Sequence, residues 1–88
     1  MKSIIQEDKE CYICGTNLGL HNHHIFPGYG YRKNSDDERL TVYLCTVHHM
    51  YVHNDSKAML QLQQVAQKEF EKKNSRKKFI ELFGKSFL

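Results

Sequence analysis

The middle of the chain shows a two-residue alternation of apolar side chains. Residues 40–44 have the sequence LTVYL, and this period predicts a half-buried β-strand that ends at Cys45. Residues 21–26 form a second stretch that can be extended, and the Pro-Gly pair after it is a strong turn signal. Between the two strands, residues 29–39 are expected to form a loop that is aromatic and basic at first and polar later.

The C-terminal part shows the three- and four-residue spacing of amphipathic helices instead. A short helix is expected over residues 46–53, and the Asn-Asp-Ser sequence after it provides a stop and an N-cap. A long helix follows, and then a short one over residues 76–83 that Ser75 caps and Gly84 closes. The apolar positions of the last two helices are expected to be core or dimer contacts: Leu62, Val65, Phe70, Phe79, Ile80 and Phe83.

A tight turn, here called the knuckle turn, lies at residues 11–15 with the sequence CYICG, where Gly15 supplies backbone freedom. No repeat or linker rich in Pro, Gly or Ser divides the 88 residues, so we expect a single domain. The predicted order is knuckle turn, strand, loop, strand, short helix, long helix and short helix, which is an α+β class. A chain of this length buries only about 60–65% of its unfolded surface, so its core is expected to be marginal.

The composition, 40% hydrophobic and 26% charged, is that of a globular protein. The apolar runs are far shorter than the roughly 20 residues that cross a bilayer, and the first ten residues lack a signal-peptide stretch. These features predict a cytoplasmic protein without a membrane partner.

The charge is unevenly distributed along the chain. Residues 1–54 carry five Lys/Arg against six Asp/Glu, whereas residues 55–88 carry eight against four. This basic part suits nucleic acid as a partner, although a solvated lysine-rich helix face explains the charge equally well.

Three cysteines cannot all pair in a disulfide framework, and their spacing indicates a metal site instead. Cys11 and Cys14 form C-x2-C, and Cys45 and His48 form C-x2-H after a gap of 30 residues. Three thiolates and one imidazole make a closed tetrahedral zinc site, which is structural. Its metal affinity would add to the folding free energy of a small core. Unrelated buried thiols are the alternative, but they leave both spacings unexplained.

The predicted short helix also carries His49 and His53 at positions i and i+4, which can converge on one ion. Successive helical residues are about 100° apart, so this pair faces roughly 90° away from the C-x2-H pair. A third ligand must come from elsewhere, and the adjacent His23 and His24 point to opposite sides of an extended strand. One of the two can bind the ion while the other stays free as a base. Metal-assisted phosphodiester cleavage needs this division of roles.

These residues resemble the HNH endonucleases, also called ββα-metal or His-Me finger enzymes, and especially the small HNH proteins of bacterial phages and prophages. The matching parts are CYICG at 11–15, HHIFP at 23–27 and LCTVHHMYVH at 44–53, and the terminal FGKSFL is also similar. The resemblance implies a ββα-metal core with a Cys3His zinc knuckle over residues 10–54. A basic helical extension over residues 55–88 completes the single domain.

The resemblance also implies a role for each histidine. His23 is similar to the family's metal ligand, His24 falls on the general base, and His49 and His53 fall on the helix ligands of members such as the colicin nuclease domains. The implied activity is metal-dependent cleavage of DNA to 5′-phosphate and 3′-hydroxyl ends, with phage DNA-processing or packaging proteins as further partners. The Asn that gives the family its middle letter is not evident here, and Asp37 is the candidate for its place.

Two kinds of metal ion are therefore expected, a structural Zn²⁺ and one catalytic divalent ion. Three imidazoles without a carboxylate favour Zn, Ni, Co or Mn over Mg on ligand softness, whereas the family often works with Mg. The candidates for the catalytic ion are Mg, Mn, Ni and Zn.

Contacts with DNA are expected from two segments, one before and one after the second strand in the sequence. Arg32 and Lys33 follow the HH motif and can touch the backbone, with Tyr29 and Tyr31 as stacking partners, although an ordinary exposed loop explains them equally well. A second phosphate-contacting surface is expected from the basic residues of the tail: Lys72, Lys73, Arg76, Lys77 and Lys78.

Two other interpretations stay open. A non-catalytic zinc module could bind DNA or a protein, with a vestigial second cluster, but all four catalytic-type histidines are present. A structural protein with two closed zinc sites would need a fourth ligand, for which His21 and Asp55 are the nearby candidates. His21 is otherwise expected beside the ligands or at the surface.

Overall fold

The computed structural model describes residues 3–26 and 30–88. Within these ranges the chain forms two strands and four helices, which confirms the α+β class. The Pro-Gly turn at 27–28 and Tyr29 lie outside the described residues. No helix in the described part is long and apolar enough to cross a membrane. The elements are β1 (Leu20–His24), α1 (Tyr31–Asp37), β2 (Thr41–Cys45), α2 (Thr46–Asn54), α3 (Ser56–Glu71) and α4 (Arg76–Phe83).

The two strands form an antiparallel hairpin in which His23 lies opposite Val42 and Leu20 lies opposite Cys45. β2 is more buried than its alternation predicts, because Thr41 is buried as well as its apolar neighbours. The N-terminal segment covers the free edge of β2. There the backbone N–H of Tyr12 donates to the carbonyl of Tyr43 at 2.8 Å. The knuckle turn is thereby fixed to the strand that leads into α2.

Residues 31–37 form the helix α1, where the sequence predicted a loop. The segment YRKNSDD has no apolar period, and seven residues are too few for a helix that is stable by itself. Tertiary contacts hold it instead. The Nδ2 of Asn34 donates to the carbonyl of Leu82 at 2.7 Å, and the buried hydroxyl of Ser35 contacts the backbone of Phe26. α1 therefore packs between α4 and the segment that follows β1.

The predicted helix boundaries are confirmed at their caps. The carboxylate of Asp55 accepts from the backbone N–H groups of Lys57 and Ala58, which separates α3 from α2. The hydroxyl of Ser75 accepts from the N–H of Lys78 at the start of α4. Such caps satisfy N–H groups that have no partner inside the helix.

The core is one cluster of buried side chains from β2, α2, α3, α4 and residues 25–26. Of the six helix positions expected to be core or dimer contacts, four are buried: Leu62, Phe70, Phe79 and Phe83. Val65 and Ile80 are 37% and 40% exposed, so neither is a core residue, and the dimer part of the expectation stays a prediction for both. Val65 instead lines a groove beside the knuckle turn.

A buried glutamine fixes the C-terminal tail against α3. The Oε1 of Gln67 accepts from the backbone N–H of Phe87 at 2.7 Å, and its Nε2 donates to the hydroxyl of Ser86 at 2.9 Å. The ring of Phe87 then packs on Phe26, with centroids 5.2 Å apart. Phe26 follows the histidines of β1 by two residues, so the tail supports the end of that strand.

The packing of α4 against α1 can be tested at Gly84. This residue ends α4 with a φ of +86°. A Cβ there would lie 2.5 Å from the hydroxyl oxygen of Tyr31, whereas a Cβ at Gly30, with a φ of +83°, would meet nothing within 4 Å. The left-handed backbone costs a non-glycine residue about 1–2 kcal/mol. We expect Gly30→Ala to lose this amount of unfolding free energy and Gly84→Ala to lose more in denaturant titrations. Equal losses of unfolding free energy in the two variants would show that the Tyr31 side chain can move away without destabilising the fold.

Candidate metal centres

Two cysteines of the knuckle turn meet a cysteine and a histidine at the junction of β2 and α2. The ligand atoms of this thiolate cluster (Cys11, Cys14, Cys45 and His48) all lie within 4.8 Å of one another. The Nδ1 of His48 is 3.5 Å from the Cys11 sulfur and 3.2 Å from the Cys45 sulfur, and the Cys14 and Cys45 sulfurs are 3.9 Å apart. Tetrahedral ligands on bonds of about 2.0–2.3 Å lie about 3.3–3.8 Å apart. The cluster can therefore hold one metal ion.

Local backbone geometry brings these ligands together. In the knuckle turn, the N–H of Gly15 donates to the carbonyl of Cys11 at 2.9 Å, and Gly15 has a left-handed φ of 79°. Cys45 is the last residue of β2 and the N-cap of α2. His48 follows one turn later, so the start of α2 fixes the spacing of both residues.

The electrostatics of Cys11 favour its use as a ligand. Burial raises the pKa of this thiol, but nearby backbone N–H groups, those of Cys14 and Cys45 foremost, outweigh burial and lower the pKa to about 6. The thiolate is the form that binds metal. The backbone N–H groups of the knuckle turn and of Cys45 therefore favour the metal-binding form of Cys11.

A separate histidine cluster (His23, His49 and His53) joins β1 to α2. Its ligand atoms also lie within 4.8 Å of one another, and the Nε2 atoms of His49 and His53 are 3.1 Å apart. The ring of His23 lies 5.3 Å from that of His49 and 5.6 Å from that of His53. The i, i+4 pair on α2 and one imidazole of β1 thus converge on a single point, which could hold a second metal ion.

The most informative atom of the histidine cluster is the Nε2 of His23. This residue is only 2% exposed, and its Nε2 is buried without a hydrogen-bond partner among the described residues. A buried polar atom without a partner costs about 1–3 kcal/mol. Burial, together with the neighbouring His49 and His53, lowers the pKa of His23 to about 4. The imidazole is therefore neutral, with a nitrogen that a metal ion would satisfy.

His24 lies apart from the histidine cluster, as the alternation of β1 predicts. Its Nε2 is 2.9 Å from the Oδ1 of Asp36 on α1, and its side chain is 21% exposed. Spacing alone left open which of the two adjacent histidines is a ligand, and the structure groups His23 with the α2 pair. The acid beside His24 is Asp36 and not Asp37, which lines a groove with Arg39. The resemblance placed the run of acids at 36–38 in the region of the missing Asn, but nothing in the sequence distinguished Asp36 from Asp37, because α1 itself was not predicted.

The remaining candidate ligands have other partners. The Nε2 of His21 lies 3.2 Å from the hydroxyl of Thr46, and its ring stacks on that of His49 at 5.2 Å. Asp55 caps α3. Neither residue belongs to the groups that could hold a metal ion in the described part of the chain.

The predicted DNA contacts lie on helices. Arg32 and Lys33 are exposed in the first turn of α1, and Lys77 and Lys78 are exposed in the first turn of α4. The other basic residues of this region are partly neutralised. Lys72 pairs with Glu69 at 2.9 Å, and Arg76 pairs with Glu71 at 3.2 Å. Lys73 is exposed, and Tyr31 is 39% exposed beside Gly84.

No family model, curated protein or solved structure matches the chain.

Proposed function

We propose that the protein is an HNH-type endonuclease that hydrolyses phosphodiester bonds of DNA with the help of a divalent metal ion. The observation that carries this proposal is the buried Nε2 of His23, unpartnered among the described residues, beside His49 and His53, with the imidazole of His24, which belongs to neither metal cluster, next to it in the chain. A three-imidazole site of this kind leaves positions open for a substrate oxygen. A closed structural site would not.

The two clusters have different roles in this proposal. The thiolate cluster has four ligands and would hold Zn²⁺ as a structural ion. The histidine cluster would hold Mn, Ni, Zn or Mg, and such an ion, when bound, polarises a phosphate oxygen and stabilises the leaving oxygen. The imidazoles of His23, His49 and His53 would hold it in place, and the buried wall at His23 would exclude water from one side.

His24 is the proposed general base that takes a proton from the attacking water. Asp36 faces its Nε2 at 2.9 Å, so an N–H at that nitrogen donates to the carboxylate and leaves the Nδ1 lone pair free for the water. Imidazole is the side chain best suited to such proton transfer near neutral pH. Asp36 is then a positioning residue, since it acts only through His24.

The Asp36 contact predicts a difference between two neighbouring acids. Asp36→Ala is expected to lower kcat about tenfold with metal affinity unchanged, and Asp37→Ala, the matched control, is expected to change neither. Nitrogen NMR of His24 should also show the Nε2–H tautomer in the unmodified protein and a mixture in Asp36→Ala. The same tautomer ratio in both proteins would contradict this role, whatever the cleavage rates are.

The substrate would approach over the basic residues of α1 and α4. Arg32 and Lys33 are on the helix that also carries Asp36, so a phosphate contact there lies near the proposed base. Lys77 and Lys78 are on the helix that packs against α1. Binding through phosphates falls steeply with added salt because counterions are released.

A comparison of two histidine variants tests the function. Supercoiled plasmid is incubated with zinc-loaded protein and added Mg, Mn, Ni or Zn. The unmodified chain and His21→Ala are expected to nick or linearise it, whereas His49→Ala is not. His21 is a matched control because its ring stacks on His49 but lies outside the histidine cluster. No cleavage by folded, zinc-loaded protein with any of the four ions would refute the proposal as stated.

The two rival interpretations have less support. A second closed zinc site needs a fourth ligand, but His21 contacts Thr46 and Asp55 caps α3. A purely structural module has no need for a deeply buried imidazole whose Nε2 lacks a partner among the described residues. Both observations favour an open site.

A further inference from the structure

An uncharged apolar face surrounds the knuckle turn and the outer side of α2. Its six large side chains are exposed by 37% at Val65 to 72% at Val47. The largest continuous apolar patch on a soluble monomer is about 300–600 Å² and is often a functional surface. The residues of this apolar face are Tyr12, Ile13, Val47, Met50, Tyr51 and Val65.

The six side chains are neighbours. Tyr12, Ile13, Tyr51 and Val65 line one groove of about 330 Å³ between the knuckle turn, α2 and α3. Val47 lies four residues before Tyr51 and three before Met50, so it neighbours both on the helix surface, and the three extend the groove along the outer side of α2. The histidine cluster uses a different side of the same helix.

The charge pattern of this region decides which kind of partner fits. Residues 11–26 and 40–54 contain no Lys, Arg, Asp or Glu, and no charged side chain lines the groove. DNA is therefore a poor partner here, because its backbone is bound through Lys and Arg. Two copies of a chain with a net charge of +3 can approach each other through this region without like-charge repulsion across the contact.

The area of the apolar face matches one side of a stable dimer. An aromatic side chain buries about 150–250 Å² when fully covered, and Val, Ile and Met bury somewhat less, so two tyrosines and four aliphatic side chains that are roughly half exposed leave on the order of 500 Å² of apolar surface. A standard interface buries about 800 Å² per partner, and about 65% of a homodimer interface is apolar. One partner of such an interface therefore contributes about 500 Å² of apolar surface, which is similar to the area of the apolar face.

We propose that the apolar face binds a second copy of this chain in a symmetric homodimer, with α2 of one copy against α2 of the other. A two-fold contact needs a self-complementary patch, and a helix stripe of Val47, Met50 and Tyr51 provides one. This assembly does not depend on nuclease activity. It gives the apolar face an occupant that matches both its area and its lack of charge.

The test is the mass of the zinc-loaded full chain in solution, by sedimentation or light scattering from micromolar to submillimolar concentration. The unmodified protein is expected at twice the 10.4 kDa of one chain. Val47→Glu and Met50→Glu each bury an unpaired charge in the contact and should weaken the dimer by more than about 100-fold. Both residues are exposed in the single chain, so both variants should retain their fold and zinc.

Ile80→Glu is the matched control, because Ile80 is an exposed apolar residue on α4, away from the apolar face. It is expected to remain a dimer. Unmodified protein that stays at 10.4 kDa over the whole concentration range would overturn the proposal and leave a different protein as the occupant. A dimer that survives both α2 variants would overturn it as well.

Discussion

Replacing His24 with alanine is expected to reduce DNA cleavage by about 10²–10⁴-fold while both metal centres keep their ions. This range is the usual contribution of general base catalysis. His24 belongs to neither metal cluster, and its contact in the structure is the carboxylate of Asp36. Its loss therefore removes a proton acceptor without removing a ligand.

The assay is the rate of plasmid nicking at saturating metal, after elemental analysis has shown that the variant still holds its zinc. His21→Ala serves as the control for the loss of an imidazole from the same strand. Full activity in His24→Ala would exclude His24 as the base. A loss of activity together with loss of the second ion would show instead that His24 is a ligand.

Replacing Cys45 with serine is expected to unfold most of the protein and to abolish both metal centres. Cys45 joins β2 to α2, and its sulfur lies 3.9 Å from Cys14 and 3.2 Å from His48. Structural zinc contributes about 10–16 kcal/mol of apparent binding free energy in small metal-dependent domains, and a small domain has only about 5–15 kcal/mol of net stability. The loss of one of the four zinc ligands can therefore remove the whole net stability of the domain.

The second centre should fail with the first because α2 carries ligands of both, at the adjacent positions His48 and His49. Circular dichroism and metal titration of Cys45→Ser measure the two losses, and Thr46→Ala is the control at the next, exposed position. A chelator added to the unmodified protein should reproduce the variant. Native circular dichroism with an intact second site in Cys45→Ser would contradict this coupling.

The predictable parts of the fold are those that depend on local chemistry. The caps at Asp55, Ser75 and Gly84 follow from side chains that satisfy helix ends, or from a left-handed φ, within a few residues. The four-residue spacing of His49 and His53 fixes their shared side of a helix in the same way. Such features can be found from the sequence because no distant contact is needed to form them.

The unpredicted parts depend on distant contacts. α1 forms because Asn34 reaches the carbonyl of Leu82, 48 residues away, and Ser35 reaches Phe26. The helix in turn brings Asp36 to His24, which no spacing rule could indicate.

The arrangement of two separate metal centres on one helix is tested most directly by X-ray absorption on protein loaded first with zinc and then with nickel. Two ions per chain are expected, with only nitrogen and oxygen neighbours at the nickel, and the double variant His49→Ala/His53→Ala should keep the zinc and lose the nickel. One ion per chain, or sulfur at about 2.3 Å from the nickel, would contradict two centres with separate ligand sets.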